Sequence, residues 1–100
     1  MGIREYAGNK KMSTTKLPVR LYGTRFCPYC IRARLLLSRK GIEYENISVS
    51  GNPEKRAEMT RLSGGTTVPQ IFIGDQPIGG YDDMAALNKQ GELDKLLGLE

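Results

Sequence analysis

The sequence predicts an α/β domain built on a four-stranded mixed sheet flanked by helices, in the order β-α-β-α-β-β-α. Three observations carry that expectation: Val19 and Leu21 alternate with polar neighbours, two later segments open with a proline at a helix start, and two short apolar runs flank a turn-like stretch. Residues 18–22 alternate in the period-2 manner of a strand, and Gly23 and Thr24 open a loop. Residues 28–40 read as a helix. Pro28 suits the first helical position, Ala33, Leu36 and Leu37 share one stripe, Arg39 and Lys40 complement the dipole of the last turn, and Gly41 stops it. Residues 44–49 suit a second strand. Asn52-Pro53-Glu54 supplies a cap, a first-turn proline and a first-turn acid for a second helix ending near Ser63 and Gly64. Gln70-Ile71-Phe72-Ile73 and a short strand near Ile78 enclose Gly74-Asp75-Gln76-Pro77, read as a hairpin with a four-residue turn. Asp82 or Asp83 then caps a helix running to about Lys89, and Leu93, Leu96 and Leu97 suggest a last short helical turn. The helical crossover makes the first two strands parallel, and the hairpin adds an antiparallel pair.

The chain of 100 residues is one domain's worth. Residues 1–17 are polar and aperiodic and read as a disordered leader, with Met12 as an alternative start that would make the preceding residues an appended tail; residues 18–100 form the domain. Of the net charge of +4, the leader holds most. The remainder balances eleven basic against ten acidic side chains, which removes the main support for nucleic-acid binding. No apolar run suits a membrane span or a secretory signal, so a cytoplasmic location is expected. Two cysteines and no histidine exclude an autonomous closed zinc finger and any histidine-based triad, and no metal ligands are assigned.

Cys27-Pro28-Tyr29-Cys30 stands where the first strand gives way to the first helix. The first thiol of such a pair faces the unpaired N–H groups of the helix start, which favour thiolate, the nucleophilic form. Cys27 is therefore expected to attack, Arg25 to add positive potential, and the less exposed Cys30 to resolve a mixed disulfide. The plainer alternatives are a pair of structural core cysteines or half of a metal site shared between chains, and the CxxC beside a βαβ pattern favours redox chemistry over both. Arg34, Arg39 and Lys40 read as the solvated face of the helix. On local grounds Pro69, in Thr66-Thr67-Val68-Pro69, is expected to be trans. Gly79-Gly80-Tyr81-Asp82-Asp83 reads equally as a close approach to a ligand carboxylate or as an ordinary strand-to-helix turn.

In order, Cys27-Pro28-Tyr29-Cys30, Thr67-Val68-Pro69-Gln70-Ile71-Phe72, Ile78-Gly79-Gly80 and Tyr81-Asp82-Asp83 resemble the glutaredoxins, specifically the small dithiol class with a Cys-Pro-Tyr-Cys centre, from Val19 to about Leu97. The resemblance implies a thioredoxin-like fold with Pro69 cis beside the cysteine pair. It implies glutathione as co-substrate, with no bound cofactor. Tyr29 would flank the groove, Val68 would pair its backbone with the cysteinyl part, and Thr67 would lie beside it. Gly80, Tyr81, Asp82 and Asp83 would hold the γ-glutamyl end. Many relatives carry Lys or Arg three residues before the first cysteine; here that place is Thr24, with Arg25 one residue along as its substitute.

The implied activity is reduction of protein–glutathione mixed disulfides and protein disulfides, by Cys27 with Cys30 resolving. The implied partners are glutathione and disulfide-containing or glutathionylated proteins, without nucleic acid or membrane, and the chain is expected to be a monomer. Three rivals are weaker. A thioredoxin usually reads Cys-Gly-Pro-Cys with a Trp ahead, and this chain has no Trp; an iron–sulfur carrier tends to have Ser or Gly at the place of Pro28; a non-catalytic interaction module needs neither thiol.

Overall fold

The computed structural model describes residues 17–99, so the expectation of a leader falls almost entirely outside the described residues. Strand β1 (Val19–Gly23) runs parallel to β2 (Glu45–Ser48) and antiparallel to β3 (Gln70–Ile73), which pairs antiparallel with β4 (Gln76–Gly79), giving the order β2-β1-β3-β4. Helix α1 (Pro28–Arg39) is the crossover that a parallel pair requires, and α2 (Pro53–Ser63) joins β2 to β3. Helices α3 (Tyr81–Lys89) and α4 (Glu92–Leu97) complete the chain.

The period-2 pattern of the two central strands divides the interior into two cores. Val19 and Leu21 of β1, with Ile71 and Ile73 of β3, pack against Ala33 and Leu37 of α1, Met84 of α3, and Leu93 and Leu97 of α4. Tyr22 and Phe72 point the other way and meet Val49 and Met59 of α2, their rings edge-on with centroids 5.6 Å apart. Each fully buried large apolar side chain contributes about 1.5–3 kcal/mol. Both central strands are covered on both faces, and β1 leads into the loop before the cysteine pair while β3 starts just after the loop that faces it.

Several boundaries differ from the sequence expectation. Strand β2 is one residue shorter at each end, and Val49 turns into the second core just beyond it. The hairpin turn is two residues rather than four: Gly74, at φ 62°, and Asp75 make it, and Pro77 lies within the edge strand β4, where a missing N–H is tolerated. Helix α3 is capped by Gly80, not by Asp82 or Asp83. Asp83 sits at the third helical position and reaches back to accept from the Gly80 N–H at 3.0 Å, half of a capping box. Lys40 is not simply solvated, since its Nζ pairs with Asp94 at 2.7 Å and ties the end of α1 to α4.

Candidate active site

Strand β1 delivers the chain to a short loop, and Cys27 caps α1 with an extended backbone (φ −74°, ψ 122°) while its carbonyl accepts the first helical bond, from Ile31 N at 2.9 Å. No side chain caps this helix and no acid occupies its first turn. The N–H groups that another helix would spend on a cap are thus left for the sulfur. Cys30, one turn in, is fully buried, and Gly23 makes room for it. A Cβ at Gly23 would stand 2.9 Å from the Cys30 sulfur, closer than a side chain tolerates.

Both cysteines are free thiols, 3.4 Å apart. Burial by itself would raise the Cys27 thiol, but the N–H groups of Cys30 and Tyr29, the Cys30 thiol and the Arg34 charge outweigh it and hold Cys27 below its ordinary value. Cys30 goes the other way. Burial pushes it up, and the hydrogen bond and charge of Cys27 add to that rise against the opposing pull of the Thr24 backbone and Arg34. The pair is therefore built so that Cys27 gives up its proton before Cys30 does.

Arg34, read from the sequence as solvated, is half-buried and supplies the charge that was assigned to Arg25. Its guanidinium donates to the carbonyl oxygens of Thr24 (3.1 Å) and Arg25 (3.3 Å) and to Asn46 Oδ1 on β2 (3.4 Å). The Arg25 guanidinium lies instead over the Phe26 ring, 5.8 Å from its centre.

Opposite the pair, the Val68–Pro69 peptide is cis, contrary to the local expectation and in line with the resemblance. The Cys27 sulfur is 4.0 Å from the Val68 carbonyl oxygen. The loop that presents it is held at two further carbonyls: Arg56 of α2 donates to Thr66 O at 3.2 Å, and the buried Gln70 amide donates to Thr67 O at 3.0 Å. From this loop a groove of about 610 Å³ runs to the start of α3, bringing together Tyr29, Thr67, Val68, Pro69, Gly80, Tyr81, Asp82 and Asp83. The Tyr29 and Tyr81 rings face each other across it, centroids 6.5 Å apart. Gly79, at φ 108°, lets the chain turn into α3 without striking Asp83, whose carboxylate oxygen a Cβ there would overlap. Arg25 does not line this groove. It borders a separate hollow of about 380 Å³ with Thr24, Arg34 and Asn46.

Sequence reasoning missed Arg34 and Gln70. Arg34 falls seven residues after Cys27 and four after Cys30, the spacing of one helix face, and Gln70 is the lone polar residue of an apolar strand. Both signals were present, though each resembles an ordinary surface position.

A thioredoxin-like sheet that sets a low thiol beside a buried one, across from a cis-proline loop, defines a thiol oxidoreductase. Comparison with known proteins narrows the class. The family model described as Glutaredoxin matches residues 19–78. A glutaredoxin of Pseudomonas aeruginosa is 55% identical over 80 residues, covering 80% of this chain and 95% of that protein, and glutaredoxin 3 of Escherichia coli K12 is 53% identical over 79 residues, covering 79% and 95%. Among solved structures, the solution structure of glutaredoxin from Brucella melitensis superposes with a TM-score of 0.73 at 51% identity, covering 83% of this chain and 90% of that one. A crystal structure of a buckwheat glutaredoxin–glutathione complex gives 0.74 at 28% identity, covering 84% and 79%. The chain belongs to the glutaredoxin family, and with it to the thiol oxidoreductases.

Proposed function

We propose that this chain is a dithiol glutaredoxin of the Cys-Pro-Tyr-Cys class that reduces protein–glutathione mixed disulfides and protein disulfides, with glutathione as electron donor. The observation that carries the proposal is a pair of free thiols 3.4 Å apart at the start of α1, Cys27 partly exposed and Cys30 buried, facing the cis Val68–Pro69 peptide. Only the thiolate attacks, so only Cys27 opens the reaction.

In the first route the Cys27 thiolate attacks the glutathione sulfur of a mixed disulfide. The protein thiolate leaves with the bond's electron pair and takes a proton from solvent. A second glutathione thiolate then attacks the sulfur bound to Cys27, forming oxidised glutathione and restoring the Cys27 thiolate. In the second route Cys27 attacks a protein disulfide, Cys30 loses its proton and attacks the Cys27 sulfur, and a Cys27–Cys30 disulfide forms as the second protein thiol departs. Two glutathiones reduce it. The raised thiol of Cys30 keeps it protonated until Cys27 is engaged, so the two sulfurs do not compete.

Glutathione would lie along the groove. The Val68 backbone takes the cysteinyl part beside Cys27 and cis-Pro69, with Thr67 and Tyr29 flanking. The first N–H groups of α3, at Tyr81, Asp82 and Asp83, have no partner within the helix and suit the γ-glutamyl carboxylate. Asp83 already accepts from Gly80, which leaves the Asp82 carboxylate for the ammonium group. Arg25 would meet the glycyl carboxylate only by leaving the Phe26 ring, so glycyl recognition is the weakest contact of the set. The buckwheat relative solved with glutathione supports a glutathione site in this fold. We place the protein in the cytoplasm as a monomer without bound cofactor.

The test is turnover of a small glutathione mixed disulfide, coupled to glutathione reductase and NADPH. Wild type turns over and Cys27→Ser does not; turnover retained in Cys27→Ser overturns the assignment.

A further inference from the structure

Arg34 is the one arginine of α1 tied to the loop that carries the dithiol. Its guanidinium spans the Thr24 and Arg25 carbonyls on one side and Asn46 of β2 on the other, and it is half-buried where most arginines of the helix are exposed. Only a planar fork with several donors reaches three acceptors on two elements at once. The contacts do two things. They fasten residues 24–25 to both neighbouring elements, and they hold a positive charge in place, since a side chain bonded on two sides has little rotamer freedom left.

We propose that Arg34 is a positioning residue of the dithiol centre, fastening the Thr24–Arg25 turn and keeping a fixed positive charge behind the Cys27 and Cys30 sulfurs. The neighbouring groups leave this task to Arg34. On α1, Arg32 lies over the Tyr29 ring at 5.4 Å; in the loop, Arg25 lies over Phe26; β2 presents the neutral Asn46 and Ser48. The cis-proline loop offers a backbone carbonyl at Val68, and α3 offers the acids Asp82 and Asp83 across the groove, which oppose a thiolate. The Arg34 charge acts on both thiols in the lowering direction, as the smallest of the influences on each, and Cys30 stays raised by burial.

The proposal rests on the reading of Cys27 as the attacking thiol, and its test needs no glutathione. The reduced full-length protein is alkylated with iodoacetamide across a pH series, and the modified cysteine is identified by peptide mass spectrometry. Arg34→Met keeps the length of the side chain without its charge. It is expected to move the midpoint of Cys27 alkylation to higher pH and to slow the reaction about three- to tenfold below the wild-type midpoint, with the high-pH plateau unchanged. Arg34→Lys recovers most of the shift, because the charge stays although the fork is lost. Arg39→Met removes the same charge from a position five residues further along, about 18 Å along the helix axis from Cys27 and beyond a Debye length, and leaves the midpoint in place. Unfolded molecules alkylate Cys30 as well as Cys27, so the Cys27 midpoint is read where Cys30 stays unmodified, which separates a charge effect from unfolding. An unmoved midpoint in Arg34→Met, an equal shift in Arg39→Met, or no recovery in Arg34→Lys overturns the proposal. Alkylation of Cys30 in place of Cys27 in the wild type would instead overturn the reading of the nucleophile.

Discussion

Helices α1 and α2 begin with the same two-part signal, a small polar or sulfur-bearing residue followed by proline, and they use it for opposite ends. At α2, Asn52 Oδ1 accepts from Lys55 N at 3.1 Å and Glu54 adds a first-turn acid, so the orphan donors and the dipole are satisfied by the chain itself. At α1, Cys27 makes no side-chain cap and no acid follows. The difference lies in the cap side chain and the first-turn acid. An amide oxygen closes the helix, whereas a sulfur leaves its N–H groups available to stabilise negative charge on itself. A helix start finished by its own side chain is satisfied; one left unfinished keeps N–H groups free to lower a thiol.

The strongest way to break this contrast is to give α1 the oxygen cap that α2 has. Cys27→Ser supplies one, and glutathione-dependent turnover is expected to fall by about three orders of magnitude or more while the urea unfolding midpoint does not decrease. A parallel fall in stability would show that the sulfur also holds the helix together.

Cys30→Ser comes next and separates the two thiols. Reduction of a glutathione mixed disulfide continues at a comparable rate, and reduction of a protein disulfide is lost, as measured by thiol release from the two substrates in parallel. Loss of both would mean that Cys30 is needed to prepare Cys27 and not only to resolve it.

At α2 the outcome inverts. Asn52→Ala removes the cap and is expected to cost about 1 kcal/mol in denaturant unfolding, with turnover per folded molecule unchanged.

The smallest effect is a pH dependence. The folded Cys27 thiol titrates below its ordinary 9.0, so the unfolded chain keeps its proton to higher pH than the folded one. Stability from this group is present above 9.0 and is lost as pH falls through the lowered folded value. In urea unfolding of the reduced protein, the stability of wild type relative to Cys27→Ser therefore rises with pH from the lowered folded value toward 9.0.

Much of the fold was legible because its signals are short. The alternation of Val19 and Leu21, the Asn52-Pro53-Glu54 start of α2 and the apolar run of β3 each act through neighbours within a few residues, and each element formed where expected. The ends of elements were less legible. Asp83 looked like a cap because it is an acid before a helix, yet Gly80 and the reach of Asp83 back to it moved the start of α3 forward. In the site, the cysteine pair and the groove residues could be named from their motifs, and eight of the nine proposed glutathione contacts line one groove, with Arg25 apart.

Local chemistry alone determined that Cys27 heads a helix with the first N–H groups turned toward it, because a cap position and a helix dipole are properties of adjacent residues. Tertiary structure decided the rest. Pro69 is cis although its neighbours favour trans, Arg34 holds the Thr24 and Arg25 carbonyls and reaches Asn46 on β2, and Lys40 finds Asp94 54 residues away. These depend on which strands lie side by side. A side chain's partner across a sheet is set by the packing of two cores, and no window of the sequence contains both halves of that contact.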